Sequence, residues 1–452
     1  MKNRLVSAAV AAALLSAACI PAVQAQSADL QALKAQLEAL QKKVSELEAQ
    51  QKKQEEVADK TLDQVAQQKA NVGDWVGRFT WKGDLRYRNE DIKQEGTKER
   101  NRDRIRVRAG LVAKVNDTVT AEVQLSTGET LGSNALATGY GDAKSSNQTL
   151  TDANSRKKVW FDTAFFTWKP TAQLSATLGK QRYPWVRPTN GLFFDGDINP
   201  EGVAVNWQQG SDGLFASAWW MQLTERGGGA DSTLAGGQFG WRGPVGPARL
   251  TVAAGYFDHG AVEGYNATQD SVPGNAFGNT TTSNTAICRS GVLTAPGVTP
   301  AVTSCIANDF NIYEALAELQ FTVGGRPLTF IGDYAKNNKA DLGATPGLDT
   351  AFAVGAQYGR VSTFNTWEIG YLYQKIENDA LYGQWVDSDF GGGLTGTKGH
   401  VFRIGYGIGR NFRFNTTYFV NDQNIDIPVV VNGTSITDRK YKRLQLDVVA
   451  TF

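Results

Sequence analysis

Histidine, methionine and cysteine are scarce in this chain, which holds two, two and three of them among 452 residues. Two histidines and three cysteines do not assemble a Cys/His metal centre. Hydrolase chemistry would have to run through His259 or His400, and the sequence has neither a GxSxG nucleophile turn nor an HExxH zinc helix. No cofactor or metal site is expected. An excess of either charge is also missing: 46 basic side chains stand against 45 acidic ones, for a formal net charge of +1. That balance lacks the basic footprint of a nucleic-acid binder. Beyond the N-terminal segment no apolar run approaches the ~18 residues that a spanning helix needs. What is abundant is glycine, at 48 residues, with aromatics at 10% of the chain, a composition of strands and turns.

Lys2 and Arg4 precede an apolar run over 5–18, and Val23-Gln24-Ala25 stands before a cut ahead of Gln26. This pattern predicts a signal peptide over 1–25. Ser16 lies three residues before Cys19, where a lipoprotein signal carries leucine, so simple cleavage is expected. Residues 26–70 then form an island of Ala, Gln, Lys, Glu and Leu without Gly, Pro or aromatics. Leu30, Leu33, Leu37, Leu40, Val44 and Leu47 alternate spacings of three and four, the a/d seam of a heptad. So narrow a stripe favours a self-associating coiled coil over packing on a globular core. A linker over 71–77 follows.

From there to the end the period is two. Arg102, Arg104, Arg106 and Arg108 alternate with Ile105, Val107 and Ala109, and Leu444, Leu446 and Val448 alternate with Arg443, Gln445 and Asp447. A soluble sandwich alternates as well, so length and connection have to decide. Sixteen runs are legible: 79–89, 102–115, 118–128, 158–169, 172–180, 201–208, 212–222, 232–242, 248–257, 310–322, 327–336, 349–359, 363–375, 399–409, 411–420 and 440–452. Most have the ~9 to 11 residues that cross hydrocarbon as a tilted strand. Short turns such as Asn116-Asp117 and Gly324-Gly325-Arg326 alternate with long loops. The fold class predicted is all-β: a transmembrane antiparallel barrel of about 16 strands over 78–452, preceded by an α-helical coiled coil. An even strand number leaves both chain ends on the short-turn, periplasmic side. Trp81, Trp160, Trp168, Trp207, Trp241, Tyr358, Trp367, Tyr371 and Tyr418 near strand ends fit aromatic girdles.

The stretches GDLRYRNEDIKQEG, DRIRVRAGLVAKVND, SSNQTL, TAFFTWKP, LGKQ and FDGDINPEG resemble the putative porin family of Gram-negative outer membranes. The match is densest over 82–210. Phosphate-selective porins share the plan of coiled coil plus 16 strands. The resemblance implies a channel for small hydrophilic solutes, embedded in outer-membrane lipid, with a homotrimer as the common assembly. Phe452, closing an alternating strand, is similar to the terminal signal read by the barrel-insertion machinery.

A barrel of this size has an aqueous interior whose polar phase carries the chemistry. Arg86, Arg88, Arg102, Arg104, Arg106, Arg108, Arg403, Arg413 and Arg443 share that phase, and closure of the last strand on the first gathers them into one basic wall. Glu314, Glu318, Asp333 and Glu368 fall on strands 10 to 13, opposite. The 181–200 loop holds the position of an inward-folding constriction loop and carries Arg182, Arg187, Asp195 and Asp197. Asp195, Asp197, Asn199 and Glu201 also space like calcium ligands, but Pro200 stands where the turn glycine belongs, so a structural turn is expected. Cys288 and Cys305, the only cysteines after signal removal, are expected to pair in the oxidising periplasm. Nine wall arginines against four acids predict a modest anion preference. The readings from other classes are a barrel that only anchors an adhesin or tether, and a barrel enzyme.

Overall fold

The computed structural model describes residues 26–71, 76–130, 141–151, 153–226, 230–265, 276–284, 286–288, 304–341 and 347–452. The signal-peptide expectation and residues 72–75 of the linker lie outside them. The chain divides into two units, Met1–Gly77 and Arg78–Phe452.

The described residues of the first unit form the helix α1 (Gln26–Asn71). Its sequence is rich in strong helix formers and free of breakers over its 46 residues. Leu37, Leu40, Val44 and Leu47 on the heptad seam are each at least half exposed. Among the described residues these four positions of the stripe have no apolar cover.

The second unit is a closed sheet of sixteen wall strands. They are β1 (Phe79–Gln94), β2 (Arg100–Lys114), β3 (Val119–Thr127), β4 (Val159–Trp168), β5 (Leu174–Lys180), β6 (Glu201–Gln208), β7 (Gly213–Thr224) and β8 (Ser232–Val245). The second half continues with β9 (Ala248–Gly260), β10 (Phe310–Val323), β11 (Arg326–Asn337), β12 (Thr350–Gly359), β13 (Trp367–Ile376), β14 (Thr397–Gly409), β15 (Phe412–Gln423) and β16 (Arg439–Thr451). Each pairs antiparallel with its chain neighbour, and β1 also pairs with β16 through Leu85↔Ala450 and Arg88↔Asp447, which closes the ring. Closure leaves no strand edge unpaired, the condition for a sheet in hydrocarbon. The short segment Gln148–Thr149 adds to β2 at Arg104 and Ile105.

Side-chain phase follows the alternation. Leu85, Tyr87, Val107, Val123, Phe330 and Ile404 are exposed on the outer face, while Arg88, Arg104, Glu314, Asp333 and Arg443 are buried on the inner one. Ile105, Leu444 and Leu446 share the outer phase. The turns obey local chemistry. Gly324 and Gly325 take φ of +57° and +73°, the paired left-handed geometry that a two-residue hairpin needs and side chains resist.

Three details differ from the sequence reading. Strands β1, β9 and β15 run three to five residues further toward the long loops, to Gln94, Gly260 and Gln423. The start of β13 is Trp367, not 363, because the Thr366 hydroxyl accepts the backbone N–H groups of Ser362 and Thr363 and holds that stretch as a turn. Trp160 does not join an outer girdle. A bulge skips Asp162 between the pairs Gln124↔Thr163 and Leu125↔Phe161. That extra residue leaves Phe161 exposed and turns Trp160 to the other face, where its indole N–H donates to the Gly128 carbonyl at 3.1 Å.

The interior at the long-loop end is packed. Trp185, Phe193 and Phe194 of the 181–200 loop meet Leu381, Tyr382, Val386 and Phe390 of the 377–396 loop and inward residues such as Trp219, Phe257 and Leu372 in one buried apolar cluster. Each such side chain contributes about 1.5–3 kcal/mol on burial. Cys288 and Cys305 are joined by a disulfide within the 261–309 loop. Closing such a segment is worth about 3 kcal/mol in the chain-entropy account. Thiol labelling of the exported, unfolded and unreduced protein should therefore detect no free cysteine, and labelling of two per chain would refute the bond.

Candidate functional site

The inner face of β1, β2 and β16 is a lattice of arginines and carboxylates. Even-numbered residues of β1 point inward as Asp84, Arg86, Arg88 and Glu90, and the register sets Arg86 against Arg106 and Arg88 against Arg104. Stacked guanidinium groups repel unless acids stand between them. Glu90, with no exposed surface, accepts from Arg102 at 2.6 Å, Arg443 at 2.5 Å and Arg88 at 3.4 Å, with Arg104 at 3.8 Å. Four guanidinium groups thus converge on one carboxylate. Arg88 is also gripped by Asp447 through two bonds of 2.6 and 2.8 Å. Arg106 bonds Asp84 at 2.7 Å. Sequence reasoning missed Glu90 and Asp447 as partners, although their shared phase with the arginines is the signal that could have found them.

Loop carboxylates complete the lattice. Asp197 of the 181–200 loop accepts from Arg108 and lies 3.9 Å from Arg106. Asp389 of the 377–396 loop pairs with Arg443 at 2.8 Å and Arg88 at 3.2 Å. Asp162, pushed inward by the bulge in β4, lies 3.8 Å from Arg108. No sequence pattern pointed to Asp162 or Asp389. Arg86 donates to the Asn147 side chain at 2.6 Å, and among the described residues Arg86, Arg403 and Arg413 have no carboxylate within 4.0 Å. The wall is therefore cross-linked and largely neutralised, with a few cations left over.

The 181–200 loop crosses the interior. Its neck is closed by the Gln181 N–H to the Pro200 carbonyl at 2.8 Å. Arg182 pairs with Glu122 on β3 at 2.5 Å. At the far side the Thr189 N–H donates to Glu318 on β10 at 2.8 Å, and Asn190 bonds Gln357 on β12. Arg187 donates to the Phe194 carbonyl at 3.0 Å and lies 4.6 Å over the Tyr183 ring. Glu368 accepts the Val361 N–H at 3.2 Å. Glu314 and Asp333 are buried, and three of their four oxygens lack a hydrogen-bond partner. The four oxygen-bearing residues that space like calcium ligands diverge. Asp195 accepts the Ser388 N–H at 2.7 Å, Asp197 faces arginines, Asn199 donates to Asp162 at 2.8 Å and Glu201 pairs with Lys180 at 2.9 Å.

The loops interlock through buried ionisable groups. Burial and the neighbouring Asp387 carboxylate push Asp195 well above the usual carboxylate range. Burial, helped by Asp389, raises Asp387 to about 6. Burial would raise Asp197 and Asp389 too, but the arginines beside them hold both well below the usual range. Lys144 of the 128–158 loop, lowered to about 8 by burial, donates to the Gly383 and Gly393 carbonyls at 3.1 and 3.3 Å. His259 packs against Phe310 and Tyr382 while His400 bonds Tyr371 at 2.9 Å on the outer face, so the two histidines serve no common site.

Removing one partner of a buried ion pair costs about 3 to 5 kcal/mol. Glu90→Gln should therefore lower the unfolding midpoint of the whole barrel. Asp197→Asn, which leaves Arg108 with Asp162 at 3.8 Å and Asp84 at 4.0 Å, should lower that midpoint less and open the 181–200 loop to trypsin after Arg182 or Arg187. The reverse pattern would show that the loop, not the seam, holds the lattice.

Residues 92–438 match the family described as Putative porin. A comparison with curated protein sequences returns no match. Among solved structures, OprB of Pseudomonas putida is 11% identical with a TM-score of 0.52, the alignment covering 84% of this chain and 97% of that one. A loop-deleted OmpT of Vibrio cholerae is 12% identical with a TM-score of 0.44, covering 83% and 100%. A triple mutant of the Rhodopseudomonas blastica porin is 9% identical with a TM-score of 0.43, covering 83% and 100%. At these identities the likeness to OprB speaks for the fold alone.

Proposed function

The chain belongs to the putative porin family, and from that premise we propose that its outer-membrane barrel is a passive diffusion channel for small hydrophilic solutes, with an arginine-rich wall that weakly prefers anions. The observation that carries the selectivity is a local surplus on the wall, where three of the nine arginines lack a carboxylate partner among the described residues. Most are matched by Asp84, Glu90, Asp197, Asp389 and Asp447, while Arg86, Arg403 and Arg413 are not. Arginine keeps its charge at every physiological pH, so this surplus does not titrate away. Water and salt damp it, since charges beyond ~8 Å are screened at physiological ionic strength.

In planar bilayers the reconstituted protein should open discrete channels whose reversal potential across a salt gradient shows weak anion preference at low salt. The preference should fade at high salt and shift toward cations in Arg104→Glu/Arg106→Glu. Clear cation selectivity of the unaltered channel would refute the basic wall, and a sealed barrel would favour an anchor.

The exposed seam of α1 supports a homotrimer with the helices associating in the periplasm. About three heptads are marginal alone, so the barrels would contribute contact area as well. Deleting residues 27–70 should weaken the oligomer without unfolding the barrel. A native mass of one protomer for the full chain in mild detergent would count against assembly.

A further inference from the structure

A cavity on the inner wall lies away from the arginine lattice, at the short-turn end beside β5 to β8. It measures about 170 Å³ and is roofed by Pro184 and Val186 of the 181–200 loop. The roof is fixed, because the Gln238 side chain bonds the Val186 N–H at 2.8 Å and its carbonyl at 2.9 Å. Lys169, Gln173, Asn206, Gln208, Ser217 and Arg242 supply its polar lining, and no carboxylate lines it.

These groups have unused capacity. The Ser217 hydroxyl and the Arg242 Nε are buried without a partner. The side-chain amides of Gln173, Asn206 and Gln208 make no hydrogen bond to the described residues, and Arg242 has no carboxylate within 4.0 Å, unlike most arginines of the lattice. Its guanidinium is nevertheless held in place, 4.4 Å over the Phe215 ring. Phe215 can lie there because Gly240 on the adjoining strand has no Cβ, which would overlap the ring. A pre-positioned planar fork is the geometry that receives a carboxylate through two bonds. Amides and hydroxyls, which both donate and accept, suit alcohol groups on the same solute.

We propose that this cavity is a solute subsite of the channel and takes a small polyhydroxylated carboxylate, a sugar acid, with its carboxylate on Arg242 and Lys169 and its hydroxyls among the amides. The inference deepens the diffusion-channel reading and rests on it for the route of the solute. Equilibrium dialysis of labelled gluconate against the folded, detergent-purified full chain tests binding independently of conduction. Wild type should bind gluconate in preference to glucose. Arg242→Gln should weaken binding about tenfold, the loss of one bidentate contact, and Lys169→Gln should weaken it to a smaller degree. Arg249→Gln, which removes the same charge at the same end outside the cavity, should leave it unchanged. Lys169 sits on an exposed turn, so its variant carries the test should Arg242→Gln fail to fold. Equal binding by wild type and folded Arg242→Gln, or equal competition by glucose, would overturn the subsite. Absence of conduction in bilayers would instead overturn the channel, so the two failures are told apart.

Discussion

Glu90 sits where the barrel closes, and the rest of the inner face is arranged around it. Its carboxylate accepts from β2 on one side and β16 on the other, so one buried charge bridges three strands. An ionised carboxylate buried without partners would be prohibitively costly, and a row of facing arginines without acids would push its strands apart. Together they form a lattice in which each charge is the counter-ion of another. This is a weak source of net stability, because desolvation offsets much of the Coulomb gain. It is a strong source of registry. A one-residue slip of β1 against β2 would turn Arg86, Arg88 and Glu90 to the outside.

The lattice also explains how loops come to occupy the interior. Asp197 and Asp389 do on loops what Glu90 does on the wall, and they bring with them Trp185, Phe193, Phe194 and Phe390. Apolar burial then holds what the charges orient. The result divides the inner wall into a packed, ion-paired part toward the long loops and a polar cavity toward the short turns, with the 181–200 loop as the partition between them.

Much of this was legible in the sequence for a physical reason: in a closed sheet that meets lipid on one side and water or loops on the other, every residue declares its face by parity. The sixteen strands, the shared phase of Arg102 to Arg108 and the position of Glu314 and Asp333 all follow from that rule. The bulge at Asp162 breaks parity within one strand, so Trp160 and Asp162 changed faces without any local signal. Asp389 and Lys144 act through loop tertiary structure, which has no period to read. Glu90 was in phase but stood beside so many cations that the count of arginines hid the single acid that organises them. Arg242 was overlooked because it is alone on its strand, and only the Phe215 ring beneath it makes it distinctive.

The closing seam has a consequence for biogenesis. Arg88 and Asp447 are 359 residues apart in the chain, and Glu90 and Arg443 are 353 apart. Contacts of such sequence separation form late, because loop-closure entropy must be overcome first. During translocation the first hairpin therefore emerges with its arginines only partly matched, through local pairs such as Arg106 with Asp84 and Arg102 with Glu90. The remaining positive charge finds its partners when the terminal strand arrives. An incompletely exported or truncated barrel is thus left with an open edge and an unneutralised one at the same place, which marks it chemically as unfinished.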